Sequence, residues 1–247
     1  MTTPPSSPPP LRSPEQLGGD PGMTTPPSSP PPLRSPEQLG GDPGMRTVVV
    51  ATHNAKKAVE LRRVLADEGL AANVIGLDEC RPYPEPEETE NSFEGNALLK
   101  ARAAAHETGH VAVADDSGLA VDLLNGMPGV RSARWSGPDA TDEANLQLLL
   151  RQIAETDDEQ RTARFICAMA LVHPDGREWV VHGEMLGRLV LEPRGENGFG
   201  YDPIFVANQQ CRTNAELAPA EKDAISHRGQ AVRAVVPLLK AILEEDQ

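Results

Sequence analysis

The chain has 247 residues, a formal net charge of −14, 38% hydrophobic residues and only 3% aromatics. So acidic a balance argues against a protein that holds DNA or RNA through its phosphates, so any phosphate bound here must be captured by a local group. The three cysteines, Cys80, Cys167 and Cys211, lack metal-ligand spacing and suit a reducing, cytoplasmic setting, and no apolar run reaches the roughly eighteen residues of a membrane span.

The first 44 residues are two identical copies of one 22-residue segment, Met1 to Gly22 and Met23 to Gly44, with seven prolines in each. Such a segment cannot bury enough apolar surface to order itself. It has neither the apolar stretch of a secretory signal nor the Arg-rich pattern of a transit peptide, and is expected to be a disordered tail without catalytic role. Each copy contributes a charge of −1, which leaves −12 for the rest. The residues from Met45 to Gln247 suffice for one α/β domain or two closely packed lobes.

In that remainder the periodicity predicts a strand over Arg46 to Thr52, a helix over Ala55 to Glu68, a strand over Asn73 to Leu77 and a helix over Asn91 to Thr108. A short buried strand, Val111 to Ala114, then ends in Asp115-Asp116-Ser117-Gly118. A helix from about Asp142 to Glu155, long β segments at Thr162 to His173 and Glu178 to Leu191, and a closing helix from about Pro219 to Glu244 complete the set. This order predicts an α/β fold, a mixed central sheet with helices on its faces.

Five stretches carry chemistry. Asp115 and Asp116 are neighbouring carboxylates at a predicted strand end, where ligand crevices open in α/β sheets. They repel unless something positive sits beside them, and magnesium, which favours oxygen ligands, is the simplest such partner. An acidic turn is the plain alternative, since Asp, Ser and Gly are common turn formers. Thr52-His53-Asn54-Ala55-Lys56-Lys57 joins a strand to a helix N-terminus, whose free N–H groups and dipole attract phosphate. Asn54 as a simple cap and Lys57 paired with Glu60 is the competing reading. In the acidic run Glu85 to Glu90, either Glu87 or Glu88 can reach a metal, whereas Asn96 and Lys100 share one helix face. Gly198-Phe199-Gly200-Tyr201-Asp202-Pro203 offers an aromatic platform for a flat base, or a tight turn whose rings fill the core. Finally, Lys222 and Ser226-His227-Arg228-Gly229 gather donors that suit a carbonyl oxygen.

In this order the motifs resemble the inosine triphosphate pyrophosphatase family, which hydrolyses XTP, ITP and dITP. The likeness runs from Arg46 to near Glu244 and rests on Thr52-x-Asn54-x-x-Lys57, Glu88-Thr89-x-x-Ser92-Phe93-x-x-Asn96-Ala97-x-x-Lys100-Ala101, Ala114-Asp115-Asp116-Ser117-Gly118-Leu119, Pro128-Gly129-x-x-Ser132-Ala133-Arg134, Phe199-Gly200-Tyr201-Asp202-Pro203 and Ser226-His227-Arg228-Gly229. His53 departs from it, since many relatives carry glycine there. The resemblance implies two lobes around a cleft, a homodimer, and Mg2+-dependent cleavage of a purine nucleoside triphosphate to monophosphate and pyrophosphate. It implies that Thr52 to Lys57 bind the triphosphate and that Asp116 is the metal ligand or the base that activates water. Ser117 would contact substrate, and Phe199 to Asp202 with Lys222, His227 and Arg228 would form the nucleotide pocket. Two other classes compete: an aspartate-nucleophile phosphatase, whose Asp-x-Asp spacing is missing, and a nucleotide sensor that binds without turnover.

Overall fold

Val48, Val49 and Val50 are at most 2% exposed, so they cannot alternate between water and core. A strand apolar on both faces belongs in the interior of a parallel sheet covered on both sides. The computed structural model, which describes residues 46–245, places them there; the duplicated proline-rich segment lies outside the described residues. Strand β1 (Thr47–Val50) runs parallel to β2 (Asn73–Gly76) on one side and to β3 (Val111–Val121) on the other. Antiparallel pairing then adds β4 (Thr162–Val172), β5 (Glu178–Leu189) and the short β6 (Phe205–Ala207), giving one mixed sheet of order β2-β1-β3-β4-β5-β6.

Helices cover this sheet through three apolar clusters. On one face α1 (Ala55–Asp67) and the long α5 (His227–Glu245) bury Leu61, Leu65, Val232, Val235 and Leu239 against Val48, Val50, Val113, Met169 and Leu171. Each buried leucine contributes roughly 2 kcal/mol relative to exposure. On the other face α2 (Phe93–Thr108) presents Ala97, Ala101, Ala104 and Ala105, small side chains that let the helix lie close on Val49, Ala112, Ala114 and Ala170. The far ends of β3, β4 and β5 hold a separate cluster, in which Leu146, Leu149 and Ile153 of α3 (Asp142–Ile153) meet Leu119, Val121, Met185, Leu189 and Phe205. Among the described residues no helix is long and apolar enough to cross a membrane.

The α/β class and the mixed, helix-flanked sheet agree with the sequence reading, and most element ends fall within two residues of it. The sequence reading did not include β6, and two expected elements differ. The strand expected to end at Ala114 continues through both acids to Val121, because β4 pairs with it all along, from Ala112↔Val172 to Val121↔Ala163, and satisfies its backbone. The closing helix is broken: α4 (Pro219–Ile225) stops, Ser226 is extended at φ −66° and ψ 147°, and α5 begins anew. The Ser226 hydroxyl accepts from the Gly229 N–H at 2.9 Å, a cap that starts α5 at His227.

Candidate active site

The acids of β3 lie mid-strand, next to the point where β1 stops at Val50, opposite Val113. Successive residues of a strand face opposite sides. Asp115 therefore points to the α1/α5 side and Asp116 to the α2 side, so these adjacent carboxylates build two different environments.

On the α2 side the Asn96 amide donates to Asp116 Oδ2 at 3.0 Å, and Lys100 Nζ stands 3.5 Å from Asp116 Oδ1 and 3.0 Å from Glu88 Oε1. Arg134 holds the second Glu88 oxygen at 3.1 Å. Burial pushes the Asp116 carboxyl above its ordinary range against the pull of Lys100 and Asn96, which favours proton acceptance. Burial also works on Glu88, but its hydrogen bonds and charges from Lys100 and Arg134 win and hold it low. Glu88 is thus the acid brought beside Asp116, and Glu87 stays exposed. Gly118 makes room for the neighbouring turn: a side chain there would come within 2.5 Å of the Gly129 carbonyl and the Ser132 hydroxyl.

The loop after β1 is shaped by its own polar side chains. Asn54 N–H donates to Thr52 Oγ1 and Lys56 N–H to Asn54 Oδ1, each at 3.1 Å, so Asn54 is the N-cap of α1. His53, Asn54, Ala55 and Lys56 are exposed. The His53 ring lies between Asp78 (2.5 Å) and Glu85 (2.6 Å), and hydrogen bonds to those acids raise its pKa. Lys57 does not pair with Glu60. Its ammonium reaches Asp115 Oδ2 at 2.7 Å, since burial leaves Asp115 without water to solvate it, while Glu60 pairs with Arg228. Arg228 Nε is also 3.5 Å from Asp115, and burial lowers the guanidinium to about 10.

His227 reaches this side because β5 carries Gly183 under the first turn of α5: a side chain at 183 would strike the His227 carbonyl. The imidazole stacks on Phe165, with centroids 5.1 Å apart, and its Nδ1 and the Ser117 hydroxyl are buried without a hydrogen-bond partner. Burial, helped by the charge of Lys222, lowers its pKa to about 4. In the unfolded chain the ordinary value is 6.5, so between pH 6.5 and 4 the unfolded state binds more protons and stability falls as pH falls. About 2 kcal/mol should be lost between pH 7 and pH 5. Urea unfolding of wild type and His227→Gln at both pH values checks this; equal losses in the two proteins would contradict it.

Phe199 stands 77% exposed, with Lys222 Nζ 4.9 Å from its ring centroid. Gly200 N–H donates to Asp142 Oδ2 and Tyr201 Oη to the Ser132 carbonyl, both at 2.9 Å. Tyr201 is core, as the plain reading of its motif had it, whereas Phe199 is not. Asp202 turns inward, 2% exposed, and accepts from Lys222 Nζ (2.5 Å), Asn214 Nδ2 (3.2 Å) and Phe199 N–H (2.9 Å). Asp202 therefore fixes the loop and Lys222 from behind. Asn214, Asp142, Glu60 and Arg134 belong to this constellation without having been singled out as ligands in the sequence. Only Arg134 lay within a quoted motif.

Fold and site together define a mixed-sheet protein that lines its acids with lysines and arginines beside an exposed aromatic. The chain belongs to the Ham1 family, whose model matches residues 48–238. It is 59% identical over 199 residues to the dITP/XTP pyrophosphatase of Cutibacterium acnes, covering 80% of this chain and 98% of that one. It is 57% identical over 201 residues to the protein of the same name from Frankia alni, covering 79% and 98%. Among solved structures, a nucleoside-triphosphatase, or dITP/XTP pyrophosphatase, of Mycobacterium abscessus is 52% identical with a TM-score of 0.69, over 78% of this chain and 99% of that one. A HAM1 protein of Coxiella burnetii is 43% identical with a TM-score of 0.74, over 80% and 100%.

Proposed function

We propose that the protein is a hydrolase that converts non-canonical purine nucleoside triphosphates, XTP, ITP and dITP, to monophosphate and pyrophosphate, and so cleanses the nucleotide pool. The observation that carries this reading is the convergence of Asp116, Glu88 and Lys100 on one side of β3. Residues 45–247 carry the activity in this proposal, and the duplicated segment takes no part.

Two carboxylates from separate elements already share one cation, Lys100, so the donor set fits a hard divalent ion. Among the described residues no group of three or more His, Cys, Asp or Glu could hold a metal alone, so in this proposal waters and substrate phosphates would complete the coordination of the ion. Asp116 and Glu88 would hold Mg2+, which when bound offsets phosphate charge. Asp116, oriented by Asn96, accepts the proton of the attacking water. Lys57, Lys56 and the start of α1, shaped by Thr52 and Asn54, grip the triphosphate. The base stacks on Phe199 with Lys222 beside it, and Ser117 and His227 supply buried polar atoms that still lack partners. A neutral His227, with Arg228 next to it, donates to the 6-oxo edge of the purine. Adenine would set an amino donor against a donor, at a cost of about 1–3 kcal/mol.

The proposal includes a cytoplasmic homodimer; the thiols of Cys80, Cys167 and Cys211 are free, as a reducing compartment requires, and sedimentation tests the dimer. A panel of ITP, XTP, dITP, GTP and ATP tests the substrate class. The expected kcat/KM for the first three exceeds that for ATP by at least tenfold, and EDTA abolishes turnover. ATP turned over as fast as ITP, or full activity in EDTA, would contradict the reading.

A further inference from the structure

Two consecutive backbone N–H groups of the exposed aromatic loop end on carboxylates from different parts of the chain. Phe199 N–H donates to Asp202 and Gly200 N–H to Asp142 Oδ2, each at 2.9 Å. Asp142 is the first residue of α3, directly after the capping Thr141, and belongs to none of the motifs above. The loop has a shape that a chain does not hold unaided. Gly198 and Gly200 have φ of +77° and +58°, and between them the Phe199 ring is 77% exposed.

An apolar ring of that size gains by folding back onto the protein, so the backbone beneath it must be held. Three anchors do so. Asp202 and Tyr201 are buried, at 2% and 4% exposure, and tie the loop to Asn214, Lys222 and the Ser132 carbonyl. Asp142 is exposed and meets the loop from α3, at the peptide directly after the ring. Lys222, the cation over Phe199, is itself fixed by Asp202, so the ring lies between a fixed ammonium and a fixed peptide.

We propose that Asp142 is a positioning residue for base recognition: its carboxylate holds the Gly200 amide and thereby keeps the Phe199 ring open to a flat heterocyclic base. The inference rests on the reading of Phe199 as the base platform. An acid at the first turn of α3 also favours the helix dipole, so a merely structural role must be separated from a positioning one.

The test uses full-length Asp142→Ala, Asp142→Asn and Phe199→Ala, with ITP as substrate and inorganic tripolyphosphate as inhibitor. Asp142→Ala is expected to raise KM for ITP about three- to tenfold, the net worth of one hydrogen bond at an exposed carboxylate, with kcat within about twofold. Asp142→Asn keeps an amide oxygen as acceptor and should restore KM, although it too lacks the helix-favouring charge. The Ki of tripolyphosphate, which has no base, should not move. Hydrogen exchange of the Gly200 amide should accelerate in Asp142→Ala and not in Asp142→Asn. If Phe199→Ala raises KM and Asp142→Ala does not, or if Asp142→Ala weakens tripolyphosphate as much as ITP, the role of Asp142 is overturned while the platform stands. If Phe199→Ala itself leaves KM unchanged, the platform reading fails and the role of Asp142 fails with it.

Discussion

Asp116→Asn should lower kcat by about 10²- to 10⁴-fold, the range associated with a positioned acid or base, and leave the fold intact. The amide matches the carboxylate in shape and can keep an oxygen toward Asn96, while Lys100 retains Glu88 as a partner. What it lacks is the negative charge that takes up a proton or holds a cation. Steady-state kinetics beside a thermal melt measure both halves of this expectation. A variant within about threefold of wild-type kcat would remove Asp116 from the chemistry.

The neighbouring substitution should do the opposite. Asp115 has a side chain only 3% exposed, and one of its oxygens meets both Lys57 at 2.7 Å and Arg228 at 3.5 Å. Asp115→Asn leaves two cations around a neutral amide. Breaking a buried pair costs about 3–5 kcal/mol, and the partial exposure of Lys57 reduces this to about 2–3 kcal/mol. For a domain of this size the melting temperature should fall by about 4–12 °C. Measured well below that transition, kcat should remain within about tenfold of wild type, because Asp115 faces away from Asn96 and Lys100. Unchanged melting with lost activity would exchange the roles of the two acids.

These contrasting expectations come from one fact that the sequence held in part. An alternating strand sends adjacent residues to opposite faces, and the apolar Leu119-Ala120-Val121 continues the β pattern beyond the acids. Asp-Asp-Ser-Gly has the composition of a turn, however, and only the whole-length ladder with β4 overrides that local preference. Strands with strong apolar runs, such as Val48 to Val50, and helices with clear stripes were legible because burial dictates their pattern. The break at Ser226 was not, since a serine cap inside a helical pattern is recognised only once Gly229 is seen to donate to it. At the site, the sequence indicated which residue types would gather but not their pairing. Lys57 choosing Asp115 over Glu60, and Glu88 rather than Glu87 lying beside Asp116, depend on contacts between residues 12 to 58 positions apart. Asp142 was invisible for the same reason: its partner is a backbone amide 58 residues away.

The central claim is that this arrangement of acids and bases cleaves between the α- and β-phosphates, and phosphorus NMR of the products of ITP with Mg2+ tests it most directly. The account predicts IMP and pyrophosphate from the first turnover. Appearance of IDP with orthophosphate would contradict it.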